Sequence, residues 1–271
     1  MSRATEGQPR IAIIGVGQSV HAPRRDDVAH AELALEAIDE ALADAGTTLG
    51  DIDNIVTASM DFWDGRTIAN MAVSEVVGSY LKSEGRVCSD GIQALLYAWT
   101  RIAAGSFKLG LVVAHCKESE GIPHEIEAAA FDPYVQRRLD ADGDVAAGLI
   151  AQRYYATSGQ SPADAARAVV AARRAGRDNP KLADLADIDE NDVLNSPEIA
   201  TPLRALDKAP LADGSCALVV ATEDVARDLG ARPVWVTGMG TSTEGFFVDR
   251  ELAAVDALSQ SVERARTMAG W

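Results

Sequence analysis

The stretch GRVCSDGIQALLYAW, residues 85–99, leads from a glycine through Cys88 and a Ser-Asp-Gly turn into apolar residues with helical spacing. Read locally, it is a turn followed by a helix over roughly 89–104, ended near Gly105. Cys88 then stands at a helix N-terminus, where unpaired N–H groups and the positive end of the dipole favour a thiolate. The same N–H groups can hold the oxyanion formed when a thiolate attacks an acyl carbonyl. The competing reading is a small buried apolar residue, the common fate of cysteine. Asp90 adds weight to it, because its carboxylate competes for the same positive end.

On the N-terminal side of this stretch, RIAIIGVG (10–17) reads as a buried strand and IDNIVTASM (52–60) as a second. Between them, AHAELALEAIDEALADAG (29–46) carries Ala31, Leu35, Ile38, Leu42 and Ala45 at helical spacing, with Gly46 as its stop. Residues 67–80 also read as a helix, and KLGLVVAH (108–115) as a further strand. Such alternation predicts an α/β fold with a mainly parallel or mixed sheet covered by helices on both faces. Residues 117–200 hold charge and helix formers but few β-branched runs, which predicts a helical insertion. Its helices are placed at 143–159 and 161–176, the second opened by Ser161 and Pro162. The sheet resumes at GSCALVVAT (214–222), followed by a helix to about Leu229, a strand over 232–240 and a helix over 249–270.

Acidic residues outnumber basic ones by 41 to 25, giving a net charge of −16. Such a surface repels duplex nucleic acid and anionic membrane, so neither is an expected partner. No stretch approaches the roughly 18 apolar residues that a membrane-spanning helix needs. The opening MSRATEGQPR has no apolar core of the secretory type, and Cys88, Cys116 and Cys216 show no CxxC spacing. A reduced, cytoplasmic protein is the expectation.

Several motifs resolve into plain structure. In GVGQSV the third glycine of a dinucleotide loop is replaced by Val20, so a tight turn is the better reading. His21, His30, His115 and His124 lack metal-ligand spacing, and Cys116 beside His115 points to the other face of a strand. No metal site is expected. DGDVAAG (142–148) lacks the downstream glutamate of a calcium loop. Arg173, Arg174, Arg177 and Lys181 form the main basic cluster, either a solvated helix face or a platform for phosphates.

RVCSDGIQAL resembles the nucleophile motif of thiolases, N-R-x-C-[GAS]-S-G-x-[QEK]-A. Arg86, Cys88, Gly91, Gln93 and Ala94 are in register, with Gly85 and Asp90 replacing Asn and Ser. VVAHCKESEG resembles the thiolase loop A-G-G-x-E-x-M-S at Ala114, Glu118 and Ser119, with His115 and Cys116 in place of two glycines. The segment from Ala200 to Gly230 resembles P-L-x-x-x-D-x-x-P-x-x-D-G-A-A-A-[LV]-V-L-A. YATSGQSPADAARAVVAARRAGRDNPK is similar to the loop domain of the sterol-carrier-protein type of thiolase.

The resemblance implies a layered αβαβα fold: core over 1–116, helical loop domain over 117–205, core again over 206–240, and over 241–271 the start of a C-terminal half. It implies Cys88 as acyl acceptor from an acyl-CoA, coenzyme A as substrate with no bound cofactor, and a homodimer with Cys88 near its interface. Arg173, Arg174 and Arg177 become candidate contacts to the substrate's phosphates. Thiolases draw a G-H-P histidine and a C-x-G cysteine from their second half, and neither motif occurs in residues 1–271. Those groups are therefore expected from a longer chain or a partner chain. His115, closing a strand at the carboxyl edge of the sheet, is a candidate substitute base for Cys88, against the plainer role of capping a strand. Three functions follow: acyl transfer by thiolysis or Claisen condensation; retro-aldol cleavage of a CoA ester with a zinc-ribbon/OB-fold partner; or a non-catalytic thiolase-like subunit.

Overall fold

The computed structural model describes residues 9–139, 141–182, 185–245 and 250–271. Two compact units emerge, one of residues 1–121, 212–241 and 260–271, the other of 122–211 and 242–259. The first is built on β1 (Ile11–Gln18), α1 (His30–Ala45), β2 (Asn54–Ala58), β3 (Ser83–Val87), α2 (Gly91–Ala103) and β4 (Leu109–Cys116). It is completed by β7 (Gly214–Thr222), α7 (Glu223–Asp228), β8 (Val234–Trp235) and most of α8 (Asp256–Ala269).

Six strands form one sheet in the order β3-β2-β4-β7-β1-β8. β2 pairs in parallel with both β3 and β4, whereas β7 is antiparallel to β4 and to β1, and β8 is antiparallel to β1. Strands β1 to β4 therefore share one direction and β7 and β8 oppose it, which makes the sheet mixed.

Alternation along each strand splits the core between two faces. Ala12, Ile55, Leu111, Val113 and Val219 pack on one face with Ala34, Ala37, Ile38 and Ala41 of α1. Ile11, Val56, Val112 and Val220 pack on the other with Ala94, Ala98 and Ile102 of α2. Burial of a side chain such as Ile38 or Ile102 contributes roughly 1.5–3 kcal/mol. α1 lies unusually close to β1: a Cβ on Gly17 would sit 2.0 Å from the Ala37 carbonyl oxygen, and one on Gly15 2.3 Å from that of Ala41. The GVG run is therefore no turn. It continues β1 and lets a helix rest on bare backbone.

Two further expectations are corrected. Residues 67–80 hold only a short 3₁₀ turn at Ala69–Ala72 and a succession of turns, with Gly78 at φ 70°. Val73 and Val77, both buried, supply the helical spacing, and one Val77 N–H to Val73 C=O turn satisfies it. β3 stands where the residues suggest only a turn, because SEGRV holds a single β-branched residue and lies at the sheet's edge, paired only with β2.

The second unit carries α3 (Pro123–Ala130), α4 (Gly143–Ser158), α5 (Pro162–Gly176), α6 (Glu190–Asn195) and a hairpin of β5 (Glu198–Ala200) and β6 (Leu203–Arg204). Ser161 caps α5 in a reciprocal bond pattern with Asp164, with Pro162 in its first turn, as the sequence suggested. Ala166, Val170 and Val193 form its small core. The unit begins at 122 rather than 117, because Ser119 is tied to Asp213 at the start of β7. Among the described residues no helix is long and apolar enough to cross a membrane.

Candidate active site

β3 ends at Val87, whose carbonyl still accepts the Ser59 N–H at 3.3 Å. The chain then bends, and α2 starts at Gly91 with Asp90 as its N-cap, the carboxylate accepting the Gln93 N–H at 2.9 Å. Cys88 therefore precedes the helix by two residues before the cap, and it is exposed. Asp90 takes one free donor of the helix end, as its chemistry predicts. Among the described residues, the N–H groups of Gly91 and Ile92 have no acceptor and keep the positive end available. A Cβ on Gly91 would meet that of Ala114 at 3.2 Å, so glycine lets the helix start against β4.

This helix end opens onto a cavity of about 420 Å³. Its wall includes Ser89, Asp90 and Gly91 from the helix start, His21, and Cys116 and Cys216 from neighbouring strands. Register explains the two cysteines: Ala114 faces Cys216 and Cys116 faces Gly214, so both side chains lie on the α2 side of the sheet. Burial pushes the Cys116 thiol up to about 12, with Glu118 adding to the shift. Cys216 is exposed, yet partial desolvation in this concave wall raises its thiol too. Cys88, adjacent to Ser89, is not among the lining residues.

His115 also contributes to the cavity's lining, and its ring packs on the α1 side of β4, where Nδ1 meets Nε2 of His30 at 2.8 Å. Burial lowers His115 to about 3 and His30 to about 4, assisted by nearby cations, Arg66 among them. Both rings are therefore neutral at physiological pH. Asp64 completes the group, one oxygen 3.5 Å from His30 Nε2. Among the described residues no hydrogen bond joins His115 to Cys88. Sequence spacing could not reveal this trio, since its members come from the start of α1, the loop after β2 and the end of β4.

Asp213 lies between Ala212 and Gly214, which line the cavity. Wholly buried, it accepts bonds from the Arg25 N–H at 2.9 Å, the Ser119 N–H at 3.0 Å and the Ser119 hydroxyl at 2.6 Å. The two motif segments containing Ser119 and Asp213 are thus joined by one carboxylate.

The arginine cluster disperses. Arg173 and Arg174 occupy the last turn of α5, where cations suit the dipole, and Arg177 pairs with Asp187 at 2.9 Å. Of the three, Arg173 lines a second cavity, of about 270 Å³, with Lys208 and Leu206.

No protein-family model matches the chain. It is 29% identical over 245 residues to a 17-hydroxy-3-oxo-4-pregnene-20-carboxyl-CoA lyase of Mycobacterium tuberculosis, covering 82% of this chain and 60% of that protein. It is 24% identical to an acetyl-CoA acetyltransferase of Methanothermobacter thermautotrophicus, covering 96% of this chain and 70% of that one. The solved Ltp2-ChsH2(DUF35) aldolase superposes with a TM-score of 0.78 at 22% identity, over 97% of this chain and 70% of its own. The chain thus spans about 60% of the length of the lyase it matches.

Proposed function

We propose, on the resemblance of its motifs to thiolases and its likeness to a carboxyl-CoA lyase and an acetyl-CoA acetyltransferase, that the chain acts on coenzyme A thioesters beside the N-terminus of α2. One observation carries this reading: the segment with the nucleophile motif ends in two acceptor-free N–H groups, at Gly91 and Ile92, where the helix meets a cavity large enough for an acyl chain. The Cys88 thiolate adds to the acyl carbonyl of an acyl-CoA. A carbon–sulfur bond forms, the bond to the coenzyme's sulfur breaks, and coenzyme A leaves as the thiol with the proton Cys88 gave up. The acyl group then passes to a carbanion in condensation, or the sequence runs in reverse as thiolysis. Arg173 is the member of the basic cluster best placed to meet a phosphate, since it lines a cavity.

A second reading has its own support. Cys88 does not line the cavity, Asp90 takes part of the helix end, and one relative bears the name of a lyase. In a retro-aldol cleavage a base takes the proton of the substrate's hydroxyl, the adjacent carbon–carbon bond breaks to release a carbonyl product, and the thioester enolate held at the helix end takes a proton back, leaving Cys88 unmodified. Association with a DUF35-type partner, as in the solved aldolase, belongs to this reading.

Intact-protein mass spectrometry after incubation with acetyl-CoA separates the two, using the full chain with any natural continuation or partner. Acyl transfer predicts one acyl adduct, absent from Cys88→Ala. No adduct with acetyl-CoA, together with carbonyl release from a 3-hydroxyacyl-CoA that survives Cys88→Ala, supports the lyase and overturns the acyltransferase.

A further inference from the structure

We propose that His30, Asp64 and His115 form a buried site for one divalent transition-metal ion of the zinc class. The three side chains are 3%, 1% and 4% exposed. One ligand atom from each lies within 4.8 Å of the other two. His30 Nε2 is 2.8 Å from His115 Nδ1 and 3.5 Å from Asp64 Oδ2. Zinc–ligand bonds of about 2.0–2.2 Å separate neighbouring donor atoms by about 3.0–3.5 Å. Small rotations of the two rings, which now touch edge to face, bring the trio into that range.

The trio also carries unmet polar capacity. Neither oxygen of Asp64 has a hydrogen-bond partner among the described residues, and burial raises its carboxyl. His30 Nδ1 and His115 Nε2 are also unpartnered, as are the buried hydroxyls of Thr57 and Ser59. Buried polar atoms are normally paired with protein or water, and a carboxylate this deep calls for a cation. The nearby cations are already committed: Arg66 and Lys117 each bind Glu120, at 2.7 and 2.8 Å. Ser59 follows Ala58, which pairs with Ala114, so register puts Ser59 next to His115.

Two imidazoles and a carboxylate suit zinc, cobalt or iron better than calcium or magnesium. Because the outer ring nitrogens lack acceptors, affinity falls about 10–100-fold below that of a fully supported site. The ion would clamp the start of α1, the loop after β2 and the end of β4 to one another.

The test is a titration of chelator-stripped protein with cobalt(II). One equivalent should produce visible d–d absorption, zinc should displace it, and saturating zinc should raise the unfolding midpoint by several degrees. Asp64→Asn preserves shape and should weaken cobalt binding at least tenfold, whereas Cys216→Ser should leave it unchanged. His30→Gln should behave like Asp64→Asn; if it fails to fold, the Asp64→Asn comparison decides. Absence of the absorption, or equal cobalt affinity in wild type and Asp64→Asn, overturns the site and leaves a neutral hydrogen-bonded trio.

Discussion

Replacing Asp213 by asparagine changes one atom in the wholly buried anchor between β7, the turn at Ser119 and the loop at Arg25. The carboxylate accepts three bonds, two on Oδ2 and one on Oδ1. An amide has one accepting oxygen, so at least one donor loses its partner whichever way the group is turned. A charge-assisted bond contributes about 1.5–3 kcal/mol and a neutral one about 0.5–1.5. Losing one bond and weakening two sums to roughly 4 kcal/mol. The neutral amide is easier to bury, which returns about 1 kcal/mol. A net destabilisation of about 3 kcal/mol follows, and at a urea slope of about 3 kcal/mol/M the midpoint moves by about 1 M. Urea unfolding followed by circular dichroism measures it, with Ser119→Ala and the double variant closing a cycle. The cycle should return a coupling of about 1–2 kcal/mol. A midpoint for Asp213→Asn within about 0.2 M of wild type, or a coupling near zero, refutes the idea that this carboxylate joins the two motif segments.

Gly17→Ala should destabilise by about 1–3 kcal/mol or more, because its methyl would sit 2.0 Å from the Ala37 oxygen and α1 cannot retreat without opening the core; thermal unfolding reads the loss. Alkylation by iodoacetamide at pH 8 should label exposed Cys88 and spare Cys116, since burial holds the Cys116 thiol protonated until about pH 12. Peptide mapping checks the order, and faster labelling of Cys116 would contradict the assigned burial. His115→Ala should leave the alkylation rate of Cys88 unchanged, because His115 is bonded to His30; a clear slowing would show that His115 acts on Cys88.

Long apolar patterns were readable from the residues. α1, with its alternating buried positions and Gly46 at φ 65°, and α5, with Ser161 and Pro162, stand where periodicity and caps put them. What escaped were features set by pairing rather than pattern. β3 exists because β2 offers it an edge, and no side chain in SEGRV announces that. The GVG run resembles a loop until a helix is laid on it, when the missing side chains become a packing requirement. Cys88 was visible as the centre of a motif, but its distance from the helix cap and its place outside the cavity wall depend on how the backbone bends after Val87. The grouping of His30, Asp64 and His115 was hidden for the same reason: proximity of donors from three separate elements is a property of the sheet.

Pairing of β1 with β7, Ile11 against Thr222, has a consequence for synthesis. Strand β1 leaves the ribosome roughly 200 residues before β7, so neither of its sheet neighbours exists during that interval. At about 5–20 residues per second, that delay is roughly 10–40 s. During it an apolar ribbon and the alanine-lined helix α1 stay uncovered, so chaperone dependence and loss to inclusion bodies should rise with translation pauses placed between the codons for β4 and β7.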